Sequence, residues 1–190
     1  MTSDVIATDR TGAAKTASSA TAPGRVDRRF AFEPHNCFAC GSLNTTGIQL
    51  DLHVDGERCW TTIALPRRFQ GWDGIAHGGI ICSILDEVMA WSLVDHDNWG
   101  LTARLSVDFK RPVPLETPIR AEGWITRTRR RLISTAGRIV DPATDALLAT
   151  AEATYVAAPE DRKRELKERY GFRLIDAAPA ASATLQEPNR

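Results

Sequence analysis

With 190 residues, 43% of them hydrophobic, the chain is long enough for one domain with a core of its own. Its 24 basic and 24 acidic side chains cancel, which removes any global electrostatic argument for a nucleic-acid partner. The cysteines Cys37, Cys40, Cys59 and Cys82 are scattered and no secretory apolar run precedes them, so a reduced, cytoplasmic setting is expected.

Residues 1–29 are rich in Ala, Thr, Ser and Gly without apolar periodicity and read as a disordered arm. Asp4 and Asp9 argue against a transit peptide. Cys37-Phe-Ala-Cys40-Gly41 follows. Structural zinc would need two further ligands, for which only His35, His53 and Cys59 offer themselves. A redox pair would be expected at a strand-to-helix junction, whereas a turn and a strand follow here. The motif therefore reads as a packed turn. From Ile48 to Val54, apolar Ile48, Leu50, Leu52 and Val54 alternate with Gln49, Asp51 and His53, which predicts a half-buried strand. Asp55-Gly56 is a hairpin signal, and Arg58 to Leu65 returns as the next strand.

A glycine-rich loop, Phe69 to Gly79, leads into the most distinctive stretch of the chain. From Ile80 to Val94 almost every position is apolar, the mark of a helix buried on all sides. It is too short, and too interrupted by Asp86 and Glu87, to span a membrane. A carboxylate in such a helix needs a partner or a task. Gly78 and Gly79 at its start would leave backbone N–H groups free for developing negative charge. Asp86 lies roughly 12 Å further along the axis. One carbonyl cannot touch both groups of a single helix. If both serve one site, two antiparallel copies must meet, as a two-fold dimer with its sites at the interface.

Beyond the helix, Ala103, Leu105, Val107 and Phe109 alternate with Arg104, Ser106, Asp108 and Lys110. Three more strands follow over 119–128, 132–140 and 147–157, joined by connections short enough for hairpins. Pro159 to Tyr170 reads as a charged surface helix with a thin apolar edge of Leu166 and Tyr170. One buried helix followed by an antiparallel meander predicts an α+β fold, a sheet wrapped around one long central helix.

The blocks CFACG, GIQLDL, QGWDGIAHGGIICSILDE and LTARLSVDFKRPVPL, in that order over residues 35–157, resemble the PaaI-like hotdog-fold acyl-CoA thioesterases, with the mammalian thioesterase superfamily members close in pattern. Asn44-Thr45-Thr46-Gly47 departs from the pattern, since relatives often carry Pro after Asn; the change touches a turn, not the chemistry. Taken with the composition of the two ends, the resemblance divides the chain into an arm (1–29), a hotdog domain (30–158), a C-terminal helix (159–175) and a flexible tail (176–190). It implies hydrolysis of an acyl-CoA thioester to acid and thiol, by a homodimer or a dimer of dimers. Position by position, the general base or nucleophile is Asp86 and the oxyanion donor is the Gly78 N–H of the partner protomer. His77 falls where the family has a pocket histidine. Thr102 matches a hydroxyl that positions water, and Gln70 lies near an Asn/Gln of the family, with Asp73 beside it.

Gly79 and Trp72 belong to the same candidate pocket, although core packing is the plainer reading of the tryptophans. Lys110 and Arg111, with Arg129, Arg130 and Arg131, are candidate phosphate contacts for coenzyme A; unaided by the resemblance, the arginines read as a solvated turn. Glu87 reads as a pairing residue rather than a second catalyst. Ser83, one turn before Asp86, is the local hydroxyl that a purely structural Asp86 would use. Hydrolysis needs a base and an electrophilic grip on the carbonyl oxygen, and a partly desolvated carboxylate makes the better base. No cofactor, metal, nucleic acid or membrane is called for. The alternatives are a non-catalytic acyl-CoA-binding module of the same fold and a hydratase or dehydratase, which typically needs a His beside the acid.

Overall fold

The computed structural model describes residues 27–94 and 96–177. Eight strands form one antiparallel sheet: β1 (Arg28–Phe32), β2 (His53–Val54), β3 (Cys59–Ala64), β4 (Gly100–Phe109), β5 (Pro118–Arg129), β6 (Leu132–Val140), β7 (Leu147–Ala157) and β8 (Phe172–Asp176). Across the sheet the order is β4-β7-β6-β5-β3-β2-β1-β8. The helix α1 (Gly78–Val94) lies against its inner face, and α2 (Glu160–Arg169) follows the last strand of the meander. A short 3₁₀ turn, Arg67–Phe69, precedes the loop into α1. This is the hotdog architecture, α+β, with the sheet curled around one long helix.

The helix sits where the pattern puts it. Ile81, Ile84, Leu85, Val88, Met89 and Leu93 are buried against the sheet, each contributing on the order of 1.5–3 kcal/mol of apolar transfer energy. Two glycines allow the close approach. Gly123 on β5 and Gly137 on β6 face each other across the ladder beneath Met89. A Cβ at Gly123 would come within 2.6 Å of the Met89 amide nitrogen, so any larger residue would push the helix off the sheet. The opposite flank of α1, with Ile80, Cys82, Ala90, Trp91 and Val94, is only half-buried within one chain.

Three expectations need correction. The alternation over Ile48–Val54 places Ile48, Leu50, Leu52 and Val54 in the core, but only His53–Val54 is strand. Gln49 adopts a left-handed φ of 58°, and the Ile48 and Leu50 amides donate to Phe38 and Ala39 carbonyls of the preceding turn. Those bonds replace a ladder. Second, the inner end of the stretch read as a disordered arm is structured, since Arg28 and Arg29 belong to β1; residues 1–26 lie outside the described residues. Third, the C-terminal helix stops at Arg169, and Phe172–Asp176 returns as β8 to pair with β1. Phe30, Phe32, Trp91, Trp99 and Phe172 form an aromatic cluster that fastens this added pair over the second half of α1. The tail beyond Ala177 is outside the described residues. Among the described residues no helix is long and apolar enough to cross a membrane.

Candidate active site on helix α1

Helix periodicity turns Asp86 toward the end of the sheet formed by β4 and β7. There Thr102, at the head of β4, donates its hydroxyl to Asp86 Oδ1 at 2.8 Å. Tyr155 on β7 donates to the same oxygen at 2.8 Å and also lies 2.9 Å from the Asp86 backbone carbonyl. Asp86 Oδ2 has no hydrogen-bond partner among the described residues. One carboxylate oxygen is therefore pinned by two hydroxyls and the other is free to act. Ser83 does not engage Asp86; its hydroxyl donates to the Gly79 carbonyl at 2.9 Å.

Tyr155 was not anticipated. In the sequence it is one more inward member of the β7 alternation, and its hydroxyl reaches Asp86 across 69 residues of chain. It is fully buried. Burial first, and then the neighbouring Asp86 charge, push its phenol above the ordinary value, so it stays a proton donor to the carboxylate.

At the start of α1, His77 accepts the Gly79 N–H on Nδ1 at 3.0 Å, and its carbonyl receives the Ile80 and Ile81 amides. It caps the helix. The Gly78 N–H, by contrast, has no acceptor among the described residues. A Cβ at Gly78 would meet the Phe109 ring at 3.4 Å, so the far end of β4 lies over the helix start. Gln70 holds the loop before it, accepting the Gly74 N–H at 3.1 Å. Trp72, at the tip of that loop, is 83% exposed, which overturns core packing for this ring.

The basic residues do not form one group within a chain. Arg129–Arg131 make the β5–β6 turn, at the end of the sheet where Gly100 pairs with Ala157. Lys110 and Arg111 lie at the other end, where both amides donate to the Leu148 carbonyl. Arg131 donates to the Ala157 carbonyl and Lys110 faces Asp108 at 3.6 Å.

Glu87, adjacent to Asp86 in sequence, points elsewhere. It accepts the Trp91 indole N–H at 2.8 Å and faces Cys37 Sγ at 3.9 Å. Burial first, then the Cys37 charge, raise its carboxyl to about 7. In the turn it meets, the hydrogen bond from the Cys40 thiol is the main cause holding Cys37 down to about 5, and the same bond raises Cys40. The turn read as simple packing thus brings three polar groups onto α1.

Residues 73–147 match the family model of the thioesterase superfamily. A crystal structure described as a thioesterase superfamily protein is similar at 28% identity and a TM-score of 0.60, the match covering 64% of this chain and 60% of that one. The chain thus spans less than two thirds of that relative. Zebra fish thioesterase superfamily member 2 matches at 11% identity and a TM-score of 0.55, over 60% of this chain and 89% of its own. A Streptococcus mutans protein bound to acetyl CoA matches at 16% identity and a TM-score of 0.51, over 54% and 82%. At those two identities the likeness is one of fold. No curated protein matches the chain. The protein thus has the hotdog fold, and its residues 73–147 are similar to the thioesterase superfamily.

Proposed function

We propose that the protein hydrolyses acyl-CoA thioesters, with Asp86 as general base or nucleophile and the Gly78 N–H of the partner subunit as oxyanion donor. The observation that carries this reading is the asymmetric hydrogen bonding of Asp86, with Oδ1 fixed by Thr102 and Tyr155 and Oδ2 unengaged. In the general-base form, Oδ2 takes a proton from water as the water oxygen bonds to the thioester carbon. The carbonyl oxygen becomes an oxyanion at the helix start, where a free N–H and the dipole favour negative charge. Collapse breaks the C–S bond, and the departing thiolate recovers the proton from Asp86. The acetyl CoA bound to the Streptococcus mutans relative makes a CoA thioester the first substrate class to try.

The pairing of subunits follows from β4. It is an edge strand with only β7 beside it, and Leu101 and Phe109 are 78% and 54% exposed. Its first end carries Thr102 against Asp86, and its last carries Phe109 over Gly78. Antiparallel pairing of two such edges about a two-fold axis near Leu105 and Ser106 brings each Phe109 beside the other chain's Thr102. Each helix start then approaches its partner's Asp86, and the exposed edge is removed.

The test is thiol release from a panel of acyl-CoA substrates. Asp86→Asn is expected to remove activity, and full activity in that variant would sink the assignment. Sharing of the site is tested by mixing chains. Gly78→Pro deletes the N–H at a helix position that tolerates proline, and its Cβ would meet the Phe109 ring at an ordinary contact distance of 3.4 Å. Neither variant is active alone, but unfolding and refolding them together recovers about a quarter of wild-type activity, since half the dimers form and each has one intact site. No recovery would place both groups in one chain.

A further inference from the structure

We propose that Cys37, Cys40 and Glu87 bind one zinc ion, which ties the N-terminal turn to α1 directly beside Asp86. The two sulfurs and a Glu87 oxygen lie within 4.8 Å of one another, brought together from a turn and a helix 50 residues apart in sequence. A tetrahedral zinc ion with Zn–S of about 2.3 Å and Zn–O of about 2.0 Å holds such donors ~3.5–3.8 Å apart. The Cys37 sulfur and Glu87 Oε1 are already at 3.9 Å. Side-chain rotations of about 1 Å would close the set. Two thiolates with one carboxylate suit zinc rather than magnesium or calcium.

The turn itself is built like a chelating loop. The Ala39 N–H donates to Cys37 Sγ at 3.4 Å, and the Gly41 N–H donates to the Cys37 carbonyl at 3.0 Å. Gly41 is required, because a Cβ there would fall 2.4 Å from the Cys37 nitrogen. His35 supplies the outer support. Its Nδ1 accepts the Cys37 N–H at 3.2 Å, which leaves the ring proton on Nε2, 4.0 Å from Cys40 Sγ. A thiolate there would receive that proton as a hydrogen bond, as ligand-supporting groups do.

Glu87 argues for a cation from the other side. Its partners among the described residues are the Trp91 indole and the sulfurs of Cys37 and Cys40, and no Lys or Arg among them pairs with it. Binding would expel the Cys40 proton to solvent and set one dication among three anionic donors. All three donors and His35 also line a cavity of about 700 Å³, which leaves the fourth coordination position to water.

The experiment uses untagged, full-length protein purified under reducing conditions, with zinc and then cobalt(II) as probes. Wild type is expected to retain one zinc per chain through dialysis and, with cobalt, to show thiolate-to-metal charge-transfer absorption and the visible bands of tetrahedral cobalt. The double variant Cys37→Ser, Cys40→Ser loses both signals. Glu87→Gln keeps the charge-transfer band and binds zinc at least tenfold more weakly. Cys82→Ser, half-buried elsewhere on α1, keeps one zinc per chain. Absence of zinc uptake by the reduced wild type would overturn the proposal without recourse to any variant. So would full zinc retention by the double variant, or a Cys37–Cys40 disulfide in protein that takes up no zinc after reduction.

Discussion

Asp86 and Glu122 are both hydrogen-bonded carboxylates on one sheet-and-helix scaffold, yet they are held in opposite ways. Glu122 projects from the outer face of β5, where Arg120 Nε bonds Oε1 at 2.8 Å and Arg58 and Arg138 bond Oε2 at 2.8 and 2.9 Å. Both oxygens are occupied and three cations surround a side chain only 4% exposed. Burial alone would raise its pKa, but the Arg120 hydrogen bond and the charges of Arg138, Arg120 and Arg58 outweigh it and hold the carboxyl below its ordinary value. Asp86 has neutral donors only, on one oxygen only. A carboxylate whose two oxygens both pair with arginines is tied into an ion-pair network, whereas one steadied by hydroxyls on a single oxygen keeps the other open. The difference separates a structural anion from one placed to serve as the proposed base.

The sharpest way to break that contrast is to neutralise each acid in turn. Asp86→Asn preserves shape, and the expected loss of thioester hydrolysis is about 10²–10⁴-fold, the range for removing a general base. Its melting temperature should change little. Glu122→Gln should do the reverse, with kcat within a factor of about two and stability lower by ~2–3 kcal/mol by denaturant titration, because three arginines lose their anion. A large kcat loss in Glu122→Gln at unchanged stability would erase the distinction.

Glu122 also predicts a pH signature. Its folded pKa is depressed, so below about pH 4.3 the unfolded chain takes up a proton that the folded chain still refuses. The unfolded state then binds more protons, and stability falls as pH falls through the lowered folded value. Above that window the contribution is fully present. Glu122→Gln should flatten this acid limb of the stability curve; a limb as steep as that of wild type would show that other carboxylates govern it.

How much of this was legible in the sequence depended on whether a residue's role was local. The helix of α1 announced itself because a buried face and a half-buried apolar flank together leave a run of apolar residues. Its start showed in His77-Gly78-Gly79, although His77 takes the Gly79 N–H and leaves only that of Gly78 without an acceptor among the described residues. Thr102 came through the family resemblance, which supplied a spacing that periodicity does not. Tyr155 stayed hidden, since an inward tyrosine on β7 looks like any other core residue until β7 is placed beneath Asp86. Glu122 was equally silent, because only Arg120 is its neighbour on β5, while Arg58 and Arg138 reach it from chain segments that only the sheet brings together. β1 and β8 were missed for a related reason. Each is five residues long, and neither has a face to bury until the Trp91 cluster exists.

The two hydroxyls on Asp86 Oδ1 allow a finer test of what steadies the proposed base. Tyr155→Phe removes a fully buried donor and should cost ~1–2 kcal/mol of stability together with about a tenfold loss in kcat. Thr102→Ala removes an exposed one, so its stability cost should fall below about 1 kcal/mol while kcat again drops several-fold. If either variant left both quantities unchanged in thiol-release and denaturant assays, that hydroxyl would not be holding Oδ1 in solution.

The smallest expected effect lies at the other end of the helix and asks whether Gly78 is special or merely first. His77→Ala removes the side chain that occupies the Gly79 N–H, at a cost of about 1 kcal/mol in helix capping. It also leaves two adjacent N–H groups free where there was one. If the oxyanion is held by the Gly78 N–H alone, kcat should stay within a few-fold of wild type once the folded fraction is matched, because that donor is untouched. A loss of kcat comparable to that of Asp86→Asn would instead place the imidazole itself at the reacting carbonyl, and capping would be the lesser of its two tasks.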